Sequence, residues 1–188
     1  MEAFLVSLVV VAVSEIGDKT QLLALMLAAR FRRPLPIICG ILVATLVNHA
    51  LAGLIGAWVR EVVPAEYLRW LLVASFFAVA LWALKPDKID AEPAPPGKYG
   101  AFAITVVTFF IAETGDKTQI ATVVLAAQFG NLIAVVAGTT IGMLVADVPA
   151  VLIGNAAAHR LPMRLMRYVA AGLFAVLGIV AWFVPAWP

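Results

Sequence analysis

The chain has 188 residues, 64% of them hydrophobic and 13% charged, against about half and about a quarter in a soluble domain. The apolar excess runs along the whole chain, so one buried core cannot absorb it, and a water-soluble globular fold is excluded. A net charge of +2 without a Lys/Arg run interleaved with aromatics excludes a nucleic-acid surface, and the single cysteine, Cys39, excludes an internal disulfide and a cysteine-built metal cluster.

A helix that crosses a bilayer needs about 20 mostly apolar residues. Such stretches cover 3–29, 34–59, 67–84, 100–128, 131–156 and 164–184, and the expected fold is an all-α integral membrane protein with six transmembrane helices. The first opens with "MEAFLVSLVV", where Glu2 stands in place of the positive charge of a cleaved signal, so it is expected to stay as a span. It carries "SEIGDKTQLL" from Ser14 onward. The second contains Cys39, which reads as a small core residue, and His49 beside Asn48. After the third comes "KPDKIDAEPAPPGKYG", whose prolines and mixed charges mark a solvated connector. The fourth carries "AETGDKTQIA" from Ala112 onward. The fifth contains Asp147 and "GTTIG" at 138–142, small residues four apart that suit close helix packing. Pro34, Pro36, Pro64, Pro86, Pro162 and Pro185 stand at or near the expected ends. No segment alternates with the period of two that a barrel strand requires.

Shifted by 98 residues, the chain matches itself. Glu15, Gly17, Asp18, Lys19, Thr20 and Gln21 fall on Glu113, Gly115, Asp116, Lys117, Thr118 and Gln119, and Gly40, Gly56 and Arg69 fall on Gly138, Gly154 and Arg167. Residues 1–84 and 100–188 therefore read as two copies of a three-helix unit, joined by a linker at 85–99. Three spans per copy is an odd number, so the second copy is expected upside down. Inverted repeats of this kind mark secondary transporters, with the site near the bilayer midplane. One side of the membrane receives Arg30, Arg32, Arg33, Lys85, Lys88, Lys98, Arg160, Arg164 and Arg167, and the other Arg60 and Arg69. Positive residues collect in the cytoplasm, which puts the linker inside and both termini on the non-cytoplasmic side of a cell (inner) membrane. Trp58, Trp70, Trp82, Tyr99, Tyr168, Trp182 and Trp187 fall near expected helix ends, as an interfacial belt requires.

A carboxylate at bilayer depth costs at least about 2.5–3.5 kcal/mol. On a helix positions i, i+3 and i+4 share a face, so Glu15, Asp18 and Lys19 are expected to project together, as are Glu113, Asp116 and Lys117, and inverted symmetry can bring the two faces together. Four carboxylates against two lysines leave a charge of −2, which one divalent cation neutralises. The candidate metal ligands are Glu15, Asp18, Glu113 and Asp116, with Gln21, Gln119, Thr20, Thr118 and Ser14 supporting them. Such oxygens suit Mg²⁺, Ca²⁺ and Mn²⁺. Lys19 and Lys117 either bond the acids when metal is absent or point to phosphate or water. The bland alternative for the whole motif is a set of Glu–Lys and Asp–Lys pairs joining two helices. Asp147 is a fifth acid at membrane depth, a candidate for the proton or metal path, and its repeat-mate His49 is open to a proton path or a hydrogen-bonded packing role.

"EIGDKT" and "ETGDKT" resemble the E-x-G-D-[KR]-[TS] signature of the six-helix cation exchangers that include Golgi manganese/calcium–proton exchangers and bacterial manganese exporters. The resemblance covers both motifs, the six-span layout and the central linker. It implies export of Mn²⁺ and/or Ca²⁺ from the cytoplasm in exchange for protons, with Glu15, Asp18, Glu113 and Asp116 as the metal-binding acids and no resident cofactor. Like charges in one site resist joint ionisation, which makes Glu15 and Glu113 candidate proton carriers. Two rivals remain. A passive cation channel would need a pore, commonly built from several subunits. An intramembrane aspartyl protease would show G-x-G-D, but Glu15 and Glu113 replace the first glycine and no catalytic residue is assigned.

Overall fold

The computed structural model describes residues 1–85, 100–153 and 163–183. Within them lie eight α-helices: α1 (Glu2–Glu15), α2 (Lys19–Phe31), α3 (Pro34–Val62), α4 (Ala65–Ala83), α5 (Ala101–Glu113), α6 (Lys117–Phe129), α7 (Leu132–Ile153) and α8 (Met163–Phe183). The expected connector, apart from Lys85, lies outside the described residues, as do His159, Arg160, Pro162, Pro185 and Trp187. By length and composition Pro34–Val62, Ala65–Ala83 and Leu132–Leu152 can each cross a membrane, and Ala101–Glu113 and Arg167–Phe183 are shorter apolar helices.

The internal match extends to backbone boundaries. α6, α7 and α8 begin 98 residues after α2, α3 and α4, and α5 and α6 end 98 residues after α1 and α2.

Two expected spans are not single helices. The stretch 3–29 is broken between α1 and α2, and 100–128 is broken between α5 and α6. Each break is made the same way. Ile16 and Thr114 are extended, Gly17 and Gly115 take φ of 83° and 80°, and Asp18 and Asp116 are extended again before the next helix starts. A right-handed helix cannot pass through a left-handed residue flanked by extended ones. The turn is closed by the Asp18 N–H on the Glu15 carbonyl at 3.0 Å and the Asp116 N–H on the Glu113 carbonyl at 3.1 Å. The expected shared helical face of Glu15, Asp18 and Lys19 therefore does not exist, because these residues sit on two helices and the turn between them.

The two sets of four helices interlock. α1 packs on α7, α5 on α3, α3 on α6 and α4 on α8. Glycine makes the closest of these approaches. A Cβ added to Gly142 would stand 2.6 Å from the Leu8 carbonyl oxygen, and one added to Gly40 would stand 2.7 Å from Thr105 Cβ. The small residues of "GTTIG" thus serve helix contact, as van der Waals association between apolar helices requires. Interior clusters form around Phe76, Leu125 and Phe174 and around Leu27, Ile41, Phe109 and Met143. Leu46, Val47, Leu54, Trp58, Leu81 and Ile179 face outward. Cys39 is exposed rather than a core residue, because α3 turns Gly40, Ile41 and Ala44 inward and Cys39 away. The Trp70 and Trp182 rings meet edge to face, 4.8 Å apart.

Two further features are local. Arg60 donates from Nη1 to the Ala127 and Gln128 carbonyls at 3.0 and 3.1 Å, so this cation neutralises the negative end of α6. Pro149 lies inside α7 rather than at an end, and its missing N–H leaves the Val145 carbonyl without its helical bond.

Gly115→Ala discriminates the broken helix from a continuous one. A Cβ there meets nothing within 4 Å, so only the backbone angle opposes it. In a continuous helix alanine would stabilise by about 1 kcal/mol. In the left-handed turn it costs about 1–2 kcal/mol, and thermal unfolding should show a midpoint lowered by about 2–8 °C.

Candidate metal site

The breaks put charge where helix ends feel it most. Glu15 and Glu113 are the last residues of α1 and α5. A carboxylate there adds to the negative end of the helix dipole, so both ends attract a cation. Asp18 and Asp116 occupy the N-cap positions of α2 and α6, where aspartate ordinarily accepts a backbone N–H from the first turn. Neither makes that bond.

Their carboxylates are engaged across the molecule instead. Lys117 Nζ lies 2.7 Å from Asp18 Oδ1, and Lys19 Nζ lies 3.3 Å from Asp116 Oδ1. Each lysine serves the aspartate of the other motif, so the two hexapeptides converge on one another. A lysine at the first position of a helix meets the positive end of the dipole, and the crossed aspartate offsets that. These are the Asp–Lys pairs of the bland alternative, but they join opposite motifs.

The remaining motif side chains brace the turns. Thr20 Oγ1 donates to Glu15 Oε2 at 2.5 Å, and Thr118 Oγ1 lies 3.4 Å from both Glu113 Oε2 and Asp116 Oδ2. Gln21 Oε1 accepts the Gly17 N–H at 2.9 Å while its Nε2 donates to the Ala146 carbonyl at 3.0 Å. Gln119 Oε1 accepts the Gly115 N–H at 2.7 Å, and its Nε2 donates to Asn48 Oδ1. The two glutamine oxygens are thus occupied by backbone. Ser14 Oγ donates to the Val11 carbonyl at 3.0 Å.

Glu15, Asp18 and Asp116 are all buried and each brings a carboxylate oxygen within 4.8 Å of the others. Oxygens that ligate one Ca²⁺ at 2.3–2.6 Å stand at most about 5 Å apart, so a single hard cation could bridge this triplet. Glu113 is equally buried but outside the triplet; Glu15, Asp116, Asp147 and Asp18 act on it electrostatically. Glu15 Oε1 and Glu113 Oε1 have no hydrogen-bond partner among the described residues. With all four motif acids ionised, the lysines balance the aspartates and a charge of −2 remains on the glutamates, in a setting where unpaired charge is costly. A recess between the first break and the ends of α4 and α8, lined by Ser14, Gly17, Asp18, Lys117, Ala83 and Arg167, leads to the Asp18–Lys117 pair.

Asp147 is fully buried on α7 and His49 on α3, and among the described residues neither carboxylate oxygen and neither ring nitrogen has a hydrogen-bond partner. The hydrogen-bonded packing role left open for His49 therefore has no partner among the described residues. Asn48, noted in the sequence only as a neighbour, proves to be a brace: besides Gln119 it reaches the Phe110 carbonyl at 3.4 Å. An amide inside an apolar run was the available signal.

A model of the divalent cation/proton antiporter GDT1 family matches residues 3–91 and 101–186. A Vibrio cholerae protein whose name contains the words manganese exporter is 48% identical over 97% of this chain and 92% of its own length. A GDT1-like protein of Synechocystis is 31% identical over 97% of this chain and 98% of its own, and GDT1-like protein 5 of Arabidopsis thaliana is 27% identical over 98% and 97%. No solved structure matches the chain. The chain thus belongs to the GDT1 family of divalent cation/proton antiporters, multi-pass membrane proteins and not enzymes.

Proposed function

We propose that this chain exports Mn²⁺ from the cytoplasm in exchange for protons, with Glu15, Asp18 and Asp116 as the ion's ligands and Glu113 joining them during the cycle. The observation that carries the reading is the buried triplet, whose oxygens lie within 4.8 Å of one another and come from both motifs. Manganese is favoured by the name of the 48% identical relative, and Ca²⁺ is the alternative cargo that the same oxygen set would accept.

The architecture proposed is six spans in two inverted three-helix repeats, 1–84 and 100–188, with α1–α2 and α5–α6 each forming one interrupted span. Matching helix boundaries 98 residues apart support the repeat. The odd number of spans per repeat and the distribution of basic residues support inversion, a cytoplasmic linker and outward termini in the cell membrane. Interrupted helices whose C-terminal ends face a cation are a known transporter solution.

The lysines act as resident counter-ions. Without metal, Lys117 and Lys19 hold the aspartates and limit repulsion among the acids. A divalent cation reaching the triplet by way of the recess displaces them. Metal needs ionised carboxylates, so protons arriving from the other side compete it off. Glu15 and Glu113 carry those protons.

In inverted membrane vesicles under a pH gradient, the wild-type chain should accumulate Mn²⁺ uphill, which a channel cannot do. Glu15→Gln and Glu113→Gln should each reduce uptake to background; wild-type uptake in both would remove the glutamates from the mechanism. Isothermal titration with Mn²⁺, Ca²⁺ and Mg²⁺ at two pH values should show weaker binding at the lower pH, with protons released on binding.

Lys117→Met tests the counter-ion role. It removes one partner of a buried ion pair, Asp18's lysine at 2.7 Å, so the metal-free protein should lose stability, by up to about 3–5 kcal/mol. Added Mn²⁺ should then raise the thermal midpoint more than it does in wild type. Equal midpoints without metal would show that the pair does not hold the site together.

A further inference from the structure

We propose that Asp147 is a further acid of the cation path, forming with Glu113 and Glu15 a second position for the transported divalent cation on the α7 side of the crossed motifs. This rests on reading the crossed motifs as the transport site.

The buried acids divide into two groups by what they touch. Asp18 and Asp116 each have a lysine within 4.0 Å. Glu15, Glu113 and Asp147 are 0% exposed, and Glu15 Oε1, Glu113 Oε1 and both Asp147 oxygens have no hydrogen-bond donor among the described residues. A carboxylate buried without donors is among the least favourable groups a chain can carry. The charged neighbours that act on this second group are largely other acids: Glu15 on Asp147, and both Glu15 and Asp147 on Glu113. Four oxygens without a donor among the described residues, on three mutually repelling acids, are relieved by protons or by a divalent cation.

Asp147 is also held in position. The Ala146 carbonyl accepts from Gln21 Nε2 at 3.0 Å, which ties this turn of α7 to the first turn of α2. At the position of Asp147 in the other repeat stands His49, equally buried. The two flanks of the site are therefore chemically different, with the acid on one side alone. Among the described residues only Glu15, Asp18 and Asp116 bring oxygens within 4.8 Å of one another. The second position is accordingly one the ion moves into, with Glu15 common to both.

The test is Asp147→Asn, which keeps the shape and removes the charge. The variant should fold, and its metal-free thermal midpoint should equal or exceed that of wild type, because a buried unpaired charge is gone. Mn²⁺ should still bind by isothermal titration through Glu15, Asp18 and Asp116, while uphill Mn²⁺ uptake into inverted vesicles falls about tenfold or more. Asp147→Glu, which restores the carboxylate, should recover uptake in part. Wild-type uptake by Asp147→Asn would overturn the proposal. So would a destabilised Asp147→Asn together with an Asp147→Glu variant that is stable but equally slow, since both mark a packing role. An Asp18→Asn/Asp116→Asn double variant that binds Mn²⁺ like wild type would instead sink the reading of the crossed motifs, whatever Asp147 does.

Discussion

The crossed pairing of Lys117 with Asp18 and Lys19 with Asp116 is the interaction on which the rest of the molecule depends. It joins the two halves of the chain at their most polar point, inside a protein whose outer surface is leucine, valine and tryptophan. A buried ion pair is a weak source of net stability, because desolvation offsets the attraction, but losing one partner is severe. The pairs therefore act less as glue than as a condition: the halves meet in this register or leave charge stranded. The two glutamates remain outside the balance, and that imbalance is what a cation and its competing protons can use.

The broken helices follow from the same requirement. A continuous helix would have placed each lysine beside the acids of its own motif. Gly17 and Gly115, with positive φ, turn the chain so that each aspartate starts a new helix and faces across the interface. The break also aims the negative ends of α1 and α5 at the site and withholds both aspartates from their ordinary capping bonds. Gln21 and Gln119 close each turn through the glycine N–H and then reach α7 and α3 respectively. Turn geometry, helix polarity and the polar contacts between halves are thus set by seven consecutive residues used twice.

Much of this was open to reading. Composition excluded a soluble fold, and the 98-residue self-match has a counterpart in helices that start at Lys19 and Lys117. The small residues of α7 and α3 pack as their spacing implies. The continuous-helix expectation failed because hydropathy is blind to a break made of three residues within an apolar run. The signals were present, a glycine in the position of a helix stop and an aspartate in that of a helix start. Cys39 failed for a related reason: in a membrane protein an apolar setting does not distinguish the interior from the lipid-facing side.

The sequence by itself determined the chemistry: which acids, lysines and amides exist at membrane depth, and that they come in two matched sets. These facts are local and survive any arrangement of the helices. Only the tertiary structure decided the pairing, because partners such as Lys117 and Asp18, separated by 99 residues, meet through helix packing and not through proximity along the chain. It also separated Glu113 from the triplet of Glu15, Asp18 and Asp116, and placed Asp147 where it and the glutamates act on one another electrostatically. Self-similarity predicts equal halves, whereas packed side chains need not divide a site equally.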